Sequence, residues 1–154
     1  MAARDHRLRW SNVQKEDSIL LDDVRVTVKH PPRPEWERQR VRNDDSIVLE
    51  LTWRDVSVVL AGDIGREAES AIAHQFVPVP LRILKVPHHG SLTSSSLEFL
   101  RALAPRVAVV SVGRGNTFGH PAPAVLQRYQ DIGAEVFRTD RDGAVRVDSD
   151  GESL

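Results

Sequence analysis

Three short apolar runs, each cut off by residues that bend the chain and carry chemistry, restrict this polypeptide more than anything else in it. Residues 56–61 stop at Gly62-Asp63, residues 81–86 at Pro87-His88-His89-Gly90-Ser91, and residues 107–112 before a loop holding Asn116-Thr117-Phe118-Gly119-His120-Pro121. Runs this short read as strands, well below the ~20 residues of a membrane span. Between them the period changes. Ala68, Ala71, Ile72 and Phe76 recur at helical spacing after Gly65, with acidic residues early, where a helix favours them. Leu97, Leu100 and Leu103 do the same after Ser94, which can cap that helix. Pro121 or Pro123 opens a further helix through Asp131, and Gly133 closes it.

The flanks read as strands. Residues 24–29 alternate valine with polar residues until His30-Pro31-Pro32 stops them, because proline cannot donate to a ladder. A charged loop around Trp36 leads to a strand over 46–53, and the tight Arg54-Asp55 link makes a hairpin with 56–61. Two last strands, 136–139 and 144–147, are expected around an Arg141-Asp142-Gly143 turn. Strands followed by strand-and-helix alternation give an α/β layer architecture with helices covering a sheet. The polar clusters then lie at carboxyl ends of successive strands, where such sheets bind ligands.

Those clusters hold one carboxylate and several imidazoles. Asp63 is either a strand-end ligand or an ordinary turn aspartate capping the next helix. His88 and His89 are either a chance surface pair or two groups turned toward one point, with Gly90 admitting a close neighbour. His120 is a loop histidine in water or a third member. Together the set suits zinc or manganese, which accept nitrogen and oxygen ligands. Ser91, Asn116 and Thr117 could hydrogen-bond phosphate oxygens beside it. Asp140 is a weaker candidate, and His6, His30 and His74 read as surface or structural. The chain has no cysteine, so thiolate sites and disulfides are excluded, and a net charge of −1 gives no global field for nucleic acid. With 154 residues, 40% hydrophobic and 28% charged, it is one soluble domain or a large part of one.

In order along the chain, Asn43-Asp44-Asp45-Ser46-Ile47-Val48-Leu49, Leu60-Ala61-Gly62-Asp63-Ile64, the stretch 84–91, the stretch 116–121 and Arg138-Thr139-Asp140 carry a resemblance. They resemble successive motifs of the metallo-β-lactamase-like C-terminal domain of the ComEC family of bacterial competence proteins, and the likeness runs from about Trp10 to Val147. The resemblance implies a four-layer αββα sandwich and a metal-dependent hydrolase, a phosphodiesterase or nuclease using zinc or manganese. In that family the domain accompanies a channel in the bacterial cytoplasmic membrane for incoming single-stranded DNA. It is thought to cut the strand that is not transported. Carried over, Asp63 matches the aspartate bridging two metals, and His88 and His89 match a histidine pair. Which of the pair is the ligand and which holds substrate or carries a proton stays open. His120, with Asn116, falls where the superfamily places its last active-site histidine.

One departure shapes the expectation. The superfamily opens with a His-x-His-x-Asp-His-type cluster, and no such pattern occurs; Asp5-His6 is a fragment of it. The chain is therefore expected to be the C-terminal half of the sandwich, a single partial domain over 1–154 with poorly ordered ends at 1–16 and 149–154. It is expected to be a piece of a longer protein or a degenerate copy, with an uncovered sheet face that favours self-association. Weak metal binding and little nuclease activity would follow. The alternative is a noncatalytic remnant that binds nucleic acid or a partner chain.

Overall fold

The computed structural model describes residues 12–33 and 42–154. His6, Trp10 and Trp36 lie outside the described residues. Among the described residues one mixed sheet of seven strands follows chain order: β1 (Ser18–Leu21), β2 (Val24–His30), β3 (Val48–Trp53), β4 (Val56–Leu60), β5 (Leu81–Lys85), β6 (Val107–Val110) and β7 (Glu135–Arg138). The first four pair antiparallel, β1 with β2 and β3 with β4 through tight two-residue links. From β4 onward pairing is parallel, which requires crossovers, and three helices supply them: α1 (Arg66–Ala73), α2 (Leu97–Leu103) and α3 (Pro123–Asp131).

All three helices pack on one face. The register sets Val59 beside Leu84 and Leu84 beside Ala108, and these join Ile72, Phe99, Leu100, Leu103, Val125 and Tyr129 in a single buried cluster. Burying a side chain such as Phe99 stabilises the fold by about 1.5–3 kcal/mol. The same face hides charge. Arg82, 1% exposed, donates to Glu50 Oε1 at 3.2 Å, Leu103 O at 2.6 Å and Val77 O at 2.7 Å, while Lys29 Nζ sits 2.7 Å from Glu50 Oε2. Burial lowers the Arg82 guanidinium from its ordinary value, and Glu50 opposes that shift.

The opposite face carries Val26, Leu51, Val58, Ile83 and Val107 in matching register and the Val109–Phe137 pair beyond them; Ile19 and Leu21 are 57% exposed and Leu60 41%, while Ile83 is 4% exposed. None of these belongs to the helix-side cluster. Of the expected uncovered face, the described residues leave β1 and the end of β4 open, while Ile83 at its centre is buried.

Several expectations need correction. Ser96, not Ser94, caps α2, its side chain accepting from Phe99 N. Ser94 is fully buried and donates to Pro87 O and Ser91 O, both at 3.0 Å, so its hydroxyl is already engaged. No strand forms over 144–147. After β7 the chain turns into the short helix α4 (Thr139–Asp142) in place of the expected turn, because Asp142 Oδ2 accepts the Arg138 N–H at 2.7 Å and removes it from any ladder. Strand β1 was not foreseen; Asp22, with φ 51°, closes its hairpin to β2. At the C-terminus Gly151 O accepts from Asp55 N at 2.9 Å, so residues 149–154 include a contact to the β3–β4 link.

Candidate functional site

The ends of β4, β5 and β6 converge because parallel strands deliver their following loops to one edge. Val86 follows β5, and Pro87–Gly90 form a single tight turn in which both histidines adopt positive φ, 48° at His88 and 54° at His89. Bulky side chains seldom take this conformation. The turn is held by His88 N–H donating to Gly62 O at 3.1 Å and Ser91 N–H donating to His88 O at 2.9 Å. Gly90, with φ +82°, is required: a Cβ there would lie 2.6 Å from Pro121 Cβ. The close neighbour that Gly90 admits is thus the His120-Pro121 loop, tied in by Ala122 N–H to Gly90 O at 2.9 Å.

The two histidines separate. His89 Nδ1–H donates to Ser111 O at 2.6 Å, which leaves Nε2 facing Asp63 Oδ1 at 3.5 Å. The same carboxylate oxygen lies 3.5 Å from Lys85 Nζ, which also donates to Gly62 O at 2.8 Å. Burial lowers the Lys85 ammonium from its ordinary value, and Asp63 works against that shift. His88 turns the other way. Its Nε2 meets the Asn43 amide at 3.0 Å, its Nδ1 faces Thr93 Oγ1 at 3.5 Å, and its ring stands edge-on to His120 with centroids 6.0 Å apart. Burial lowers His120 from its ordinary value, and His88 and His89 push the same way.

The supporting loops come from both flanks. His30, buried and structural, donates from Nε2 to Asp44 O at 2.5 Å and so holds the Asn43–Asp45 turn. Asp44 Oδ1 accepts from Gly65 N–H at 2.6 Å, where α1 begins, and Ser46 Oγ accepts from Asp63 N–H at 3.2 Å. Beneath the histidine turn, Glu69 is 0% exposed and accepts from Ser95 N–H at 2.5 Å and Ser96 N–H at 2.8 Å. Burial raises its carboxyl, while those donors and Arg128 hold it down.

Of the residues singled out by sequence, Asp63, His88, His89, Asn116 and His120 sit at this edge. Asn116 works within its own loop, its amide donating to His120 O at 2.8 Å and its Oδ1 accepting from His120 N–H at 3.1 Å. Ser91 is buried with its hydroxyl 3.1 Å from Thr93 Oγ1, and Thr117 is exposed. Asp140 is bound to the Arg138 guanidinium at 2.7 Å, which lowers its carboxyl from the ordinary value. Asn43 and Lys85 lay in motifs the sequence reading quoted but were given no site role there, and Thr93 was not singled out.

The donors do not complete a metal site. Asp63 Oδ1 and His89 Nε2 could share an ion ~2.0–2.2 Å from each. Among the described residues, however, no group of three or more His, Cys, Asp or Glu side chains is gathered to hold one. Lys85 adds a positive charge beside the only carboxylate of the pair. What remains is a polar cleft with imidazole, amide and hydroxyl groups, suited to hydrogen-bonding an anionic or polar ligand.

Comparison with known proteins identifies the family. The sequence pattern of the metallo-beta-lactamase superfamily matches residues 4–114. ComE operon protein 3 of Bacillus subtilis is 32% identical over 145 residues, 94% of this chain and 18% of that protein. Competence protein ComA of Neisseria gonorrhoeae is 33% identical over 74% of this chain and 17% of its own length. Recombination protein 2 of Haemophilus influenzae is 34% identical over 70% of this chain and 14% of its own. A solved structure described as a candidate Zn-dependent hydrolase of the superfamily, from Thermotoga maritima, has a TM-score of 0.47 at 13% identity, covering 85% of this chain and 65% of that one. The chain thus spans less than a fifth of the length of these curated relatives. On the match over residues 4–114, the chain belongs to the metallo-beta-lactamase superfamily.

Proposed function

We propose that this chain is part of a hydrolase domain that acts on DNA phosphodiesters during uptake, on the strand that is not transported, within a protein of the bacterial cytoplasmic membrane. Among the described residues no helix is long and apolar enough to cross a membrane, so the membrane portion would lie elsewhere in such a protein. The observation that carries the reading is the gathering of Asp63, His89, His88, Asn43 and His120 at one sheet edge, in a chain similar to competence proteins. In this reading His88, with His120 edge-on to it, faces the substrate. Asp63 and His89 would contribute to a zinc or manganese site whose other ligands these residues do not supply. The chain by itself then binds such a metal weakly and cuts DNA poorly.

The test uses a labelled single-stranded oligonucleotide with this chain alone, and with the chain joined to the preceding segment of a competence relative. Chelator-sensitive cutting by the joined protein, abolished by Asp63→Ala and by His89→Ala, supports the reading. Robust chelator-sensitive cutting by these 154 residues alone refutes the ligand count. The incomplete donor set favours one other reading, a noncatalytic module that binds nucleic acid or a partner chain. Oligonucleotide binding without any cutting by the joined protein would select it.

A further inference from the structure

Phe118 stands out once the site is drawn. It is 80% exposed, more than any other large hydrophobic residue described. An apolar ring in water loses the burial that stabilises aromatic side chains elsewhere in the chain. Nor is the ring simply at a loose tip. Asn116 closes its loop with hydrogen bonds in both directions to His120, at 2.8 Å and 3.1 Å. Phe118 then lies nearly parallel to the His120 ring, 21° between planes and 6.0 Å between centroids. His120 stands edge-on to His88 at the same spacing. The rings of Phe118, His120 and His88 therefore form a row leading from solvent to the centre of the site. Beside it lies a cleft of about 450 Å³ lined by His89, Asn116, Phe118, His120 and Thr139.

From this geometry we propose that Phe118 is a stacking platform for an unpaired nucleobase, setting the strand so that a neighbouring phosphate reaches His120 and His88. The inference rests on the nucleic-acid reading above and adds how the strand is held, through a base that must be unpaired, since a base within a duplex has its faces covered. A flat π-face accepts any base without reading its edge, so sequence preference is weak. A protein partner is the less suitable occupant. Phe118 is a lone ring among polar or small neighbours, Thr117, Gly119, Asn116 and His120, whereas protein docking patches are contiguous and apolar.

The test reads binding, not cleavage. Fluorescence anisotropy of a labelled thymidine oligonucleotide, with chelator present, is measured for the whole chain and its Phe118→Ala and Phe118→Trp variants. The alanine variant is expected to bind about 5- to 150-fold more weakly, the range for one base–aromatic stack, and the tryptophan variant to retain affinity. An oligonucleotide of equal length lacking its bases should bind the parent and Phe118→Ala alike. Unchanged melting of Phe118→Ala excludes a folding defect, as expected for so exposed a ring. Equal single-strand affinity for parent and Phe118→Ala overturns the proposal, as does an equal loss on the base-free strand. So does the absence of any strand binding by the parent. Strand binding that depends on Phe118, in a protein whose joined form cuts nothing, would sink the hydrolase reading and leave this inference standing.

Discussion

Replacing Gly90 by alanine tests how the two halves of the site are brought together. At φ +82° an L residue carries about 1–2 kcal/mol of strain. The added Cβ would also lie 2.6 Å from Pro121 Cβ and 3.1 Å from Pro121 Cα. Neither atom belongs to a flexible side-chain end, so the loop must shift as a unit. Overpacking of this kind costs roughly 1–3 kcal/mol. If the loop moves away, the Ala122 N–H to Gly90 O bond is lost, a net ~0.5–1.5 kcal/mol, in place of part of that clash. The expected destabilisation is therefore about 2–5 kcal/mol.

Gly115 provides the control. Its φ of +69° imposes similar strain, yet a Cβ there would meet nothing within 4 Å. Gly115→Ala should lose only ~1–2 kcal/mol. Urea unfolding at fixed pH measures both, with the midpoint moving and the slope unchanged if the two-state description holds. The His88 and His120 ring proton signals, followed by NMR, should move in Gly90→Ala and stay in place in Gly115→Ala. Equal midpoint losses for the two variants would refute the claim that Gly90 exists to admit Pro121.

Glu69→Ala should destabilise by roughly 2–4 kcal/mol, because the buried N–H groups of Ser95 and Ser96 lose their acceptor, against some relief from removing a desolvated charge. Because burial raises its folded pKa above 4.5, and Arg128 and Tyr129 are the groups facing it, Glu69 contributes most at low pH. The stability advantage of the parent over Glu69→Gln should narrow as pH rises from about 4.5 through that raised value, and a pH-independent difference in urea midpoints would contradict it. The open part of that sheet face should drive concentration-dependent self-association through Ile19, Leu21 and Leu60, weakened by Leu21→Lys; a parent chain that sediments as a monomer at high concentration would remove that expectation.

The alternation of sheet and helix was legible because burial on one face leaves a period in the sequence. Residues 24–29, 56–61 and 81–86 each became strands to within a residue at their ends. Two of the failures share a cause: a local side chain took a backbone group that the pattern assigned to regular structure. Ala144-Val145-Arg146-Val147 alternates like a strand, but Asp142 captures the Arg138 N–H and ends the ladder before it. Ser94 looks like a cap, but it points down to Pro87 O and leaves Ser96 to do it. Glu50 and Arg82 interrupt apolar runs and give no sign that they face each other in the core. At the site, the cluster of histidines was legible and its partition was not. Positive φ at both His88 and His89 sends one ring to Ser111 and Asp63 and the other to Asn43, and residue type does not encode that choice.

The sheet's handling of its faces also bears on why the donor set stops where it does. Crossovers that all place their helices on one side bury Val59, Leu84 and Ala108 and leave Ile19, Leu21 and Leu60 open. The same crossovers deliver Gly62-Asp63, His88-His89 and the Asn116–His120 loop to a single edge. Open apolar surface and polar edge therefore adjoin at the end of β4. Lys85 marks the junction: its side chain projects on the open side, with Leu60 beside it in register, and its ammonium reaches back to Asp63. A second layer packed on the open face would bury apolar surface and bring its own strand ends alongside Asp63 and His89. Lys85 would then be enclosed, and a metal ligated by Asp63 would have to displace its ammonium from the carboxylate. In that arrangement covering the face and completing the site would be one structural event. Charge substitutions at Ile19 or Leu21, far from the histidines in sequence, should impair both together.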